Sequence, residues 1–486
     1  MPTSNLKQKT THGMLWSFIE KLSIYGIQFV IGLFVARILM PSDYGLVGML
    51  AIFMSISTVF IDSGFSRALI QKQERTEIDF STVFYFNLFI SAILYGILYI
   101  SAPYIAQFYH EPQLTLITRI LALNFVIQAF TMVQLTKLSI NMDFKSKAII
   151  NTFSVLLSGV VALVMAYQGY GVWALIAQTL SKTALTLFLI LFIKKWVPKL
   201  VFSLDSFKSL FRYGSKLLAA GVLGTIINNL YTILIGRFFT AKEVGYYAKS
   251  VYFTNVLSAT ATDVLQTVTF PVMSSVQHEE ERLSNIYRKL IRLTMFAVIP
   301  CMIGFALICE PFIRLCLTEK WMPAVPIIQW LCMARIFTPV SVLNINLLNA
   351  KGYSGMVLKL ELIKAPLIIG TLAFTIQYGL EAVVIGQAIV SFLCFFINAY
   401  IPGKMANYGA FQQMKDMGPT LLATAGMTAA ILPIILFVPS DLWQLLLSIP
   451  IGGSVYYLLS LAQKTDEIKE VNTLLYNLIN KYFRKK

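Results

Sequence analysis

The residues predict an all-α integral membrane protein with about 14 transmembrane helices, twelve of them in two corresponding halves of six. Three observations lead there. The 486 residues are 57% hydrophobic and only 13% charged, with a mean hydropathy of +0.71, so a bilayer is the solvent that fits. Apolar spans of membrane length, each about 20 residues or more, follow one another along the whole chain. One pattern stands twice, two hundred positions apart: Arg37 to Gly45 reads RILMPSDYG and Arg237 to Gly245 reads RFFTAKEVG. In both copies an arginine, two apolar residues, a short linker, an acid (Asp43, Glu243) and a glycine come in the same order. Such a spacing marks a chain built by doubling, as many secondary transporters are.

In order, the expected spans are 14–37, 44–66, 80–102, 114–137, 148–167, 171–193, 214–236, 244–270, 291–315, 324–349, 355–377, 379–401, 418–438 and 442–462. The first is too long for a signal-peptide core and has no small-residue cleavage site. Spans 1 and 2 meet at the first copy of the pattern, and spans 7 and 8 meet at the second. QGYG at Gln168–Gly171 separates spans 5 and 6, and QYG at Gln377–Gly379 separates spans 11 and 12. Gly171-Val172-Trp173-Ala174 then matches Gly379-Leu380-Glu381-Ala382. The repeat therefore pairs spans 1–6 with spans 7–12, and spans 13 and 14 stand outside it. This divides the chain into residues 1–199, 200–403 and 404–486. Leu200–Tyr213 joins the halves with Leu204, Phe207, Leu210 and Phe211 at helical spacing. The tail from Glu467 to Lys486 sets Ile468, Val471, Leu475, Leu478 and Ile479 opposite basic residues. Both stretches are expected on the inner leaflet.

The net charge of +16 has its explanation in topology. With the N-terminus inside, 28 lysines and arginines fall in inner segments or at the inner ends of spans, 4 in outer segments or at outer span ends (Arg37, Arg237, Lys242, Lys320) and 7 deeper within spans. That asymmetry places both termini in the cytoplasm and removes the need for a nucleic-acid partner. The five cysteines (Cys301, Cys309, Cys316, Cys332, Cys394) lie in or at the ends of apolar spans without metal-ligand spacing, and they read as small apolar residues.

The sequence holds no catalytic constellation. Its three histidines (His12, His110, His278) sit near the N-terminus or in loops, and no phosphate-binding GxxxxGK[ST] loop is present. Outer loops no longer than about a dozen residues leave little soluble surface for an enzyme or a polymerase. Neither an enzymatic activity nor a cofactor is expected. The remaining chemistry is charge inside the spans, which costs roughly 2.5–3.5 kcal/mol per residue at mid-helix. The cations are Lys21, Arg119, Lys182, Lys249, Arg314, Arg335 and Lys364; the acids are Glu20, Asp62, Asp263, Glu310 and Glu361. Glu310 and Arg314 are spaced to neutralise each other, and Glu361 with Lys364 has the same option. An excess of cation in both halves calls for an anion, and a phosphate or pyrophosphate group answers. Lys21, Arg119, Lys182, Lys249, Arg335 and Lys364 are thus the expected substrate-binding set. Asp62 and Asp263 fall in corresponding spans at almost the repeat offset. With Glu20 and Glu361 they are the carboxylates to consider for a coupling proton or sodium; the plainer reading of Asp62 and Asp263 is that of helix-end residues.

At these residues the chain resembles a known family. LWSFIEKLSIYGIQFVIGLFVARILMPSDYGLVGM from Leu15, FIDSGFSRALIQ at Phe60–Gln71 and QGYGVWALIAQ at Gln168–Gln178 are similar to the polysaccharide-transporter branch of the multidrug/oligosaccharidyl-lipid/polysaccharide exporter superfamily, the Wzx-type flippases of the colanic-acid and teichuronic-acid type. The likeness runs from about residue 10 to about residue 400 and is most specific in the first 180 or so. It implies two pseudo-symmetric six-helix lobes in a V around a central cavity, working by alternating access; spans 13 and 14, which carry no matching motif, add two C-terminal helices to the expected fold. It implies a bacterial inner-membrane protein that flips undecaprenyl-pyrophosphate-linked oligosaccharide units outward, for exopolysaccharide, capsule or O-antigen assembly; a monomer working alongside a polysaccharide polymerase and export machinery is expected. In the related lipid II flippase, cavity cations serve the lipid pyrophosphate; Lys21 in span 1 and Lys249 in span 8 stand on the corresponding kind of helix. The runner-up is a small-molecule antiporter of the drug-exporting branch, whose cavity should be acidic; the excess of lysine and arginine within the spans opposes it. A lipid scaffold, the third reading, has no use for charges at mid-span.

Overall fold

The structure is a computed structural model that describes residues 3–62, 64–72, 74–470, 472–473 and 476; the side chains of 3–15, 17–19, 213, 216–217, 220, 259–268, 270–272, 275, 354 and 358 are outside the description. Hydrocarbon offers no partner to an open N–H or C=O, so a chain this apolar folds as helices that satisfy their own backbone. The first half consists of α1 (Thr3–Ile38), α2 (Pro41–Asp62), α3 (Phe65–Gln71), α4 (Glu77–Tyr109), α5 (Leu114–Leu121), α6 (Leu123–Ile140), α7 (Phe144–Tyr167) and α8 (Val172–Ile193). The rest comprises α9 (Leu204–Phe238), α10 (Ala241–Ser275), α11 (Glu280–Leu317), α12 (Ala324–Arg335), α13 (Thr338–Ala350), α14 (Ser354–Thr375), α15 (Leu380–Met405), α16 (Ala410–Phe437) and α17 (Asp441–Ala462). Each of the expected spans falls on one helix or on a broken pair. Among the described residues, 11 segments are long and apolar enough to cross a membrane, against the 14 expected; α9, α10 and α14 are not among them.

Both copies of the repeated pattern have the same local structure. Asp43 and Glu243 are third-position residues of α2 and α10, where a carboxylate accepts from the amide just before the helix. Met40 N donates to Asp43 Oδ2 at 2.9 Å, and Thr240 N donates to Glu243 Oε2 at 2.9 Å. The acid of the pattern is therefore a helix cap. The glycine is a close approach: a Cβ on Gly45 would collide with the Ala241 carbonyl, and one on Gly245 with the Pro41 carbonyl. Pro41 and Ala241 are themselves corresponding residues, so the two copies touch reciprocally. Gly171 (φ 55°) and Gly379 (φ 98°) open α8 and α15 in a backbone region that side chains disfavour, which explains why glycine recurs at both tight turns.

The fourth span of each half is broken. α5 gives way to α6 at Ala122, and α12 to α13 at Ile336-Phe337, just ahead of Pro339. Span 7 departs from expectation in the other direction. Residues 204–213 are not a separate interfacial helix but the start of α9, capped by Ser203, whose Oγ accepts from Ser206 N at 3.3 Å. Phe207 and Phe211 stack at 5.3 Å and meet Phe65 of α3 at 6.0 and 6.2 Å, Phe207 lies 4.9 Å from Phe86 of α4, and Leu210 is buried. Protein thus covers most of the stripe expected on the inner leaflet, while Leu200 and Leu204 remain exposed. In the tail, Ile468 is buried and Glu467 pairs with Arg292; Val471, Leu475, Leu478 and Ile479 lie outside the described residues.

Packing divides the chain into two compact units, Met1–Ala248 and Lys249–Lys486, with the division inside α10. In the first, α1 lies on α7, and α9 lies on α2, α3 and α4. Its core includes Val35, Leu39, Ala162, Ala166 and Ala174. In the second, α11 packs against α12, α16 and α17. Tyr287 donates to Asn344 Oδ1 and accepts from Gln413 Nε2 (3.1 Å), a polar link between α11, α13 and α16 in an otherwise apolar interior.

Candidate functional site

The structure sorts the six expected cations by their surroundings. Lys364 is paired: its Nζ lies 2.6 Å from Glu361 Oε1, one helical turn away. Glu310 and Arg314, excluded from the set on spacing, are paired too at 2.8 Å. With these two pairs set aside, the span charges that remain are the cations Lys21, Arg119, Lys182, Lys249 and Arg335 and the acids Glu20, Asp62 and Asp263.

Arg119 and Arg335 occupy corresponding places, in the last turns of α5 and α12 just before the breaks in spans 4 and 10. The open carbonyls at a helix C-terminus carry partial negative charge, so a cation is stabilised there. Arg119 also donates from Nε to Tyr99 O at 3.3 Å and lies 4.3 Å over the Tyr99 ring. Lys249 is only 5% exposed on α10, with its Nζ 4.9 Å from the Tyr252 ring and 5.2 Å from the Phe253 ring. These ring faces replace part of the hydration an ammonium loses on burial. Lys21 on α1 and Lys182 on α8 are exposed side chains at the surface of their helices.

The carboxylates differ as well. Glu20 is buried, and Asn151 of α7 donates to its Oε1 at 2.5 Å. Asp62 is the last residue of α2 and accepts from Ser66 N at 3.4 Å, capping α3 across the Gly64 turn. That is the helix-end role. Asp263 lies on α10, its side chain outside the described residues. The sequence reading passed over Tyr252 and Phe253, although their spacing of three and four from Lys249 on one helix was a usable signal. It also missed Asn151, 131 positions from Glu20, which no local pattern announces. Among the described residues, no cluster of histidine, cysteine, aspartate and glutamate could hold a metal ion. Within the spans, lysine and arginine outnumber the acids seven to five.

Comparison with known proteins identifies the scaffold. The model of a family described as polysaccharide biosynthesis protein matches residues 34–326, a stretch that contains both copies of the repeated pattern. The chain belongs to the polysaccharide biosynthesis protein family. Within this polysaccharide biosynthesis group it is 26% identical over 350 residues to the teichuronic acid biosynthesis protein TuaB of Bacillus subtilis, covering 72% of each chain. It is 24% identical to the succinoglycan biosynthesis transport protein ExoT of Rhizobium meliloti, covering 97% of this chain and 96% of that one. Among solved structures it is similar to the lipid II flippase MurJ in an inward closed conformation, with a TM-score of 0.68 at 14% identity over 92% of this chain and 98% of that one. The chain also shares its fold with an inward-facing multidrug resistance MATE family transporter, at a TM-score of 0.62 and 16% identity over 82% of this chain and all of that one, in line with the fold that the sequence resemblance implied.

Proposed function

We propose that this protein moves undecaprenyl-pyrophosphate-linked oligosaccharide units from the inner to the outer leaflet of a bacterial inner membrane by alternating access. A lipid-linked oligosaccharide carries a charged, sugar-bearing head that cannot cross hydrocarbon and a tail that never leaves it. The protein's task is to shield the head. The observation that carries this reading is the surplus of cations over acids inside the spans, on a scaffold of the polysaccharide biosynthesis family. Pyrophosphate carries at least two negative charges, so two or three cations suffice. Lys21, Lys182 and Lys249 are the first choices. Arg119 and Arg335 already serve helix ends, and Glu361 neutralises Lys364. A flexible ammonium suits a wet, mobile headgroup that needs charge more than shape. For a coupling ion, Glu20 is favoured over Asp62, because it is buried within a span and held by a neutral partner, Asn151.

The test is a deletion strain, with its accumulated lipid-linked intermediates identified by mass. The wild-type gene should clear an undecaprenyl-pyrophosphate oligosaccharide from the inner leaflet. No such intermediate, or accumulation of an unrelated small cation instead, rejects the reading.

A further inference from the structure

Three span ends on one side of the first unit enclose a cavity of about 660 Å³ that no role described so far uses. It lies between the C-terminal end of α6, the N-terminal end of α7 and the segment leaving α8, with Trp16 of α1 and Trp196 among its walls. Lys137, Lys145, Lys194 and Lys195 line it, and Asp143 is the one carboxylate in its lining.

Most of these charges are committed. Lys137 Nζ lies 2.7 Å from Glu77 Oε1 and 4.6 Å from the Trp196 ring. The Trp196 indole donates to the other oxygen of Glu77 at 2.7 Å. Lys194 pairs with Asp143 at 3.0 Å. Asp143 also caps α7, accepting from Ser146 N at 3.1 Å and from Ser146 Oγ at 2.9 Å. Two ammonium groups remain. Lys145, 5.9 Å from the Trp16 ring, and Lys195 have no acidic partner within 4.0 Å among the described residues. A solvated lysine fringe needs no concavity and no indole walls. This place has both, in a volume within the usual range for ligand sites.

We propose that this cavity binds a phosphate group, that of an anionic lipid headgroup, with Lys145 and Lys195 as the cations that hold it. The chemistry fits the location. The cavity opens where spans end, tryptophan settles at that level of a bilayer, and the lysine-rich side of the chain faces the leaflet that carries anionic lipid. A free phosphate ester offers the same oxygens, so the source has to be tested separately. The inference concerns binding alone and does not rest on the export reading.

The experiment is native mass spectrometry of the full-length protein in detergent, titrated with phosphatidylglycerol, phosphatidylcholine or glycerol phosphate. Wild type should retain phosphatidylglycerol over phosphatidylcholine, and Lys145→Gln/Lys195→Gln should lose about tenfold of that retention. Lys145→Arg/Lys195→Arg should keep it, as should Lys415→Gln, an exposed lysine elsewhere. Equal lipid retention in wild type and the Gln double variant overturns the proposal, as does the same loss in Lys415→Gln. Saturable binding of glycerol phosphate that the Gln double variant abolishes, without selectivity between the two lipids, supports the phosphate site and overturns its assignment to lipid.

Discussion

Gly45 and Gly245 show what one residue decides in this molecule. Each faces a backbone carbonyl of the other pattern copy with no room for a methyl group. Gly45→Ala and Gly245→Ala should each cost about 1–3 kcal/mol through forced backbone displacement. Gly48→Ala, whose Cβ would meet only Ala248 Cβ and Val244 Cγ1 at 3.4 Å, should stay close to wild type. Thermal unfolding in detergent checks the contrast, and equal melting for all three variants refutes the close-approach account. Asp143 gives a pH prediction. Burial opposes its charge, but the Ser146 amide and hydroxyl and the Lys194 ammonium outweigh it and hold the carboxyl below its ordinary 3.8. A depressed carboxylate contributes stability above its unfolded value and loses it as pH falls through the folded one. A melting series from about pH 6 down to about pH 3 should therefore show a loss below about 4 that is smaller in Asp143→Asn, the remainder belonging to Glu77, Asp79 and Asp416, which are held low in the same way. The Asp43 and Glu243 caps were legible in sequence as a recurring acid but not as caps, because the helix start had to be known first. The Glu20–Asn151 contact was not legible at all, since it joins two helices distant in sequence.

At the level of elements, the spans were legible because bilayer thickness and internal hydrogen bonding leave so few options. Their breaks were legible only where chemistry marks them. Pro339 announces the interruption between α12 and α13; Ala122, between α5 and α6, has neither glycine nor proline to betray it. The fusion of the linker into α9 was hidden because an apolar stripe reads the same whether lipid or protein covers it. The Glu361–Lys364 pair was legible from its spacing, and it makes an element-scale prediction. Lys364 is 7% exposed, so Glu361→Gln leaves a buried ammonium without its partner. That should destabilise by about 1–3 kcal/mol, and Glu361→Gln/Lys364→Gln should recover most of the loss. A double-mutant cycle of melting temperatures measures the coupling; additive losses mean the pair does not act as one.

At the scale of the whole molecule, the doubling was written in the repeated pattern, but the packing boundary at Ala248–Lys249 was not, because α10 runs straight through it. The sorting of lysine and arginine predicts both termini in the cytoplasm. Cysteine labelling on a cysteine-free background should find residues 110, 240 and 320 outside and residues 75, 145, 280 and 410 inside. Two contradictions overturn that map. The candidate cation set was only partly legible: composition shows the surplus and spacing offers Lys364 its partner Glu361, but the helix-end placement of Arg119 and Arg335 emerges only in three dimensions.

We propose above that Lys21, Lys182 or Lys249 holds the pyrophosphate of a lipid-linked oligosaccharide. The most direct test of that role is flipping in proteoliposomes that carry the purified full-length protein, scored by the access of an impermeant glycosidase to the translocated sugar. Lys21→Ala, Lys182→Ala and Lys249→Ala, each correctly inserted, should include at least one variant that flips about ten- to a hundredfold more slowly at low substrate, with the matching arginine variant largely restored. Wild-type rates from all three alanine variants, or a loss that arginine does not restore in any of them, would contradict the cationic mechanism.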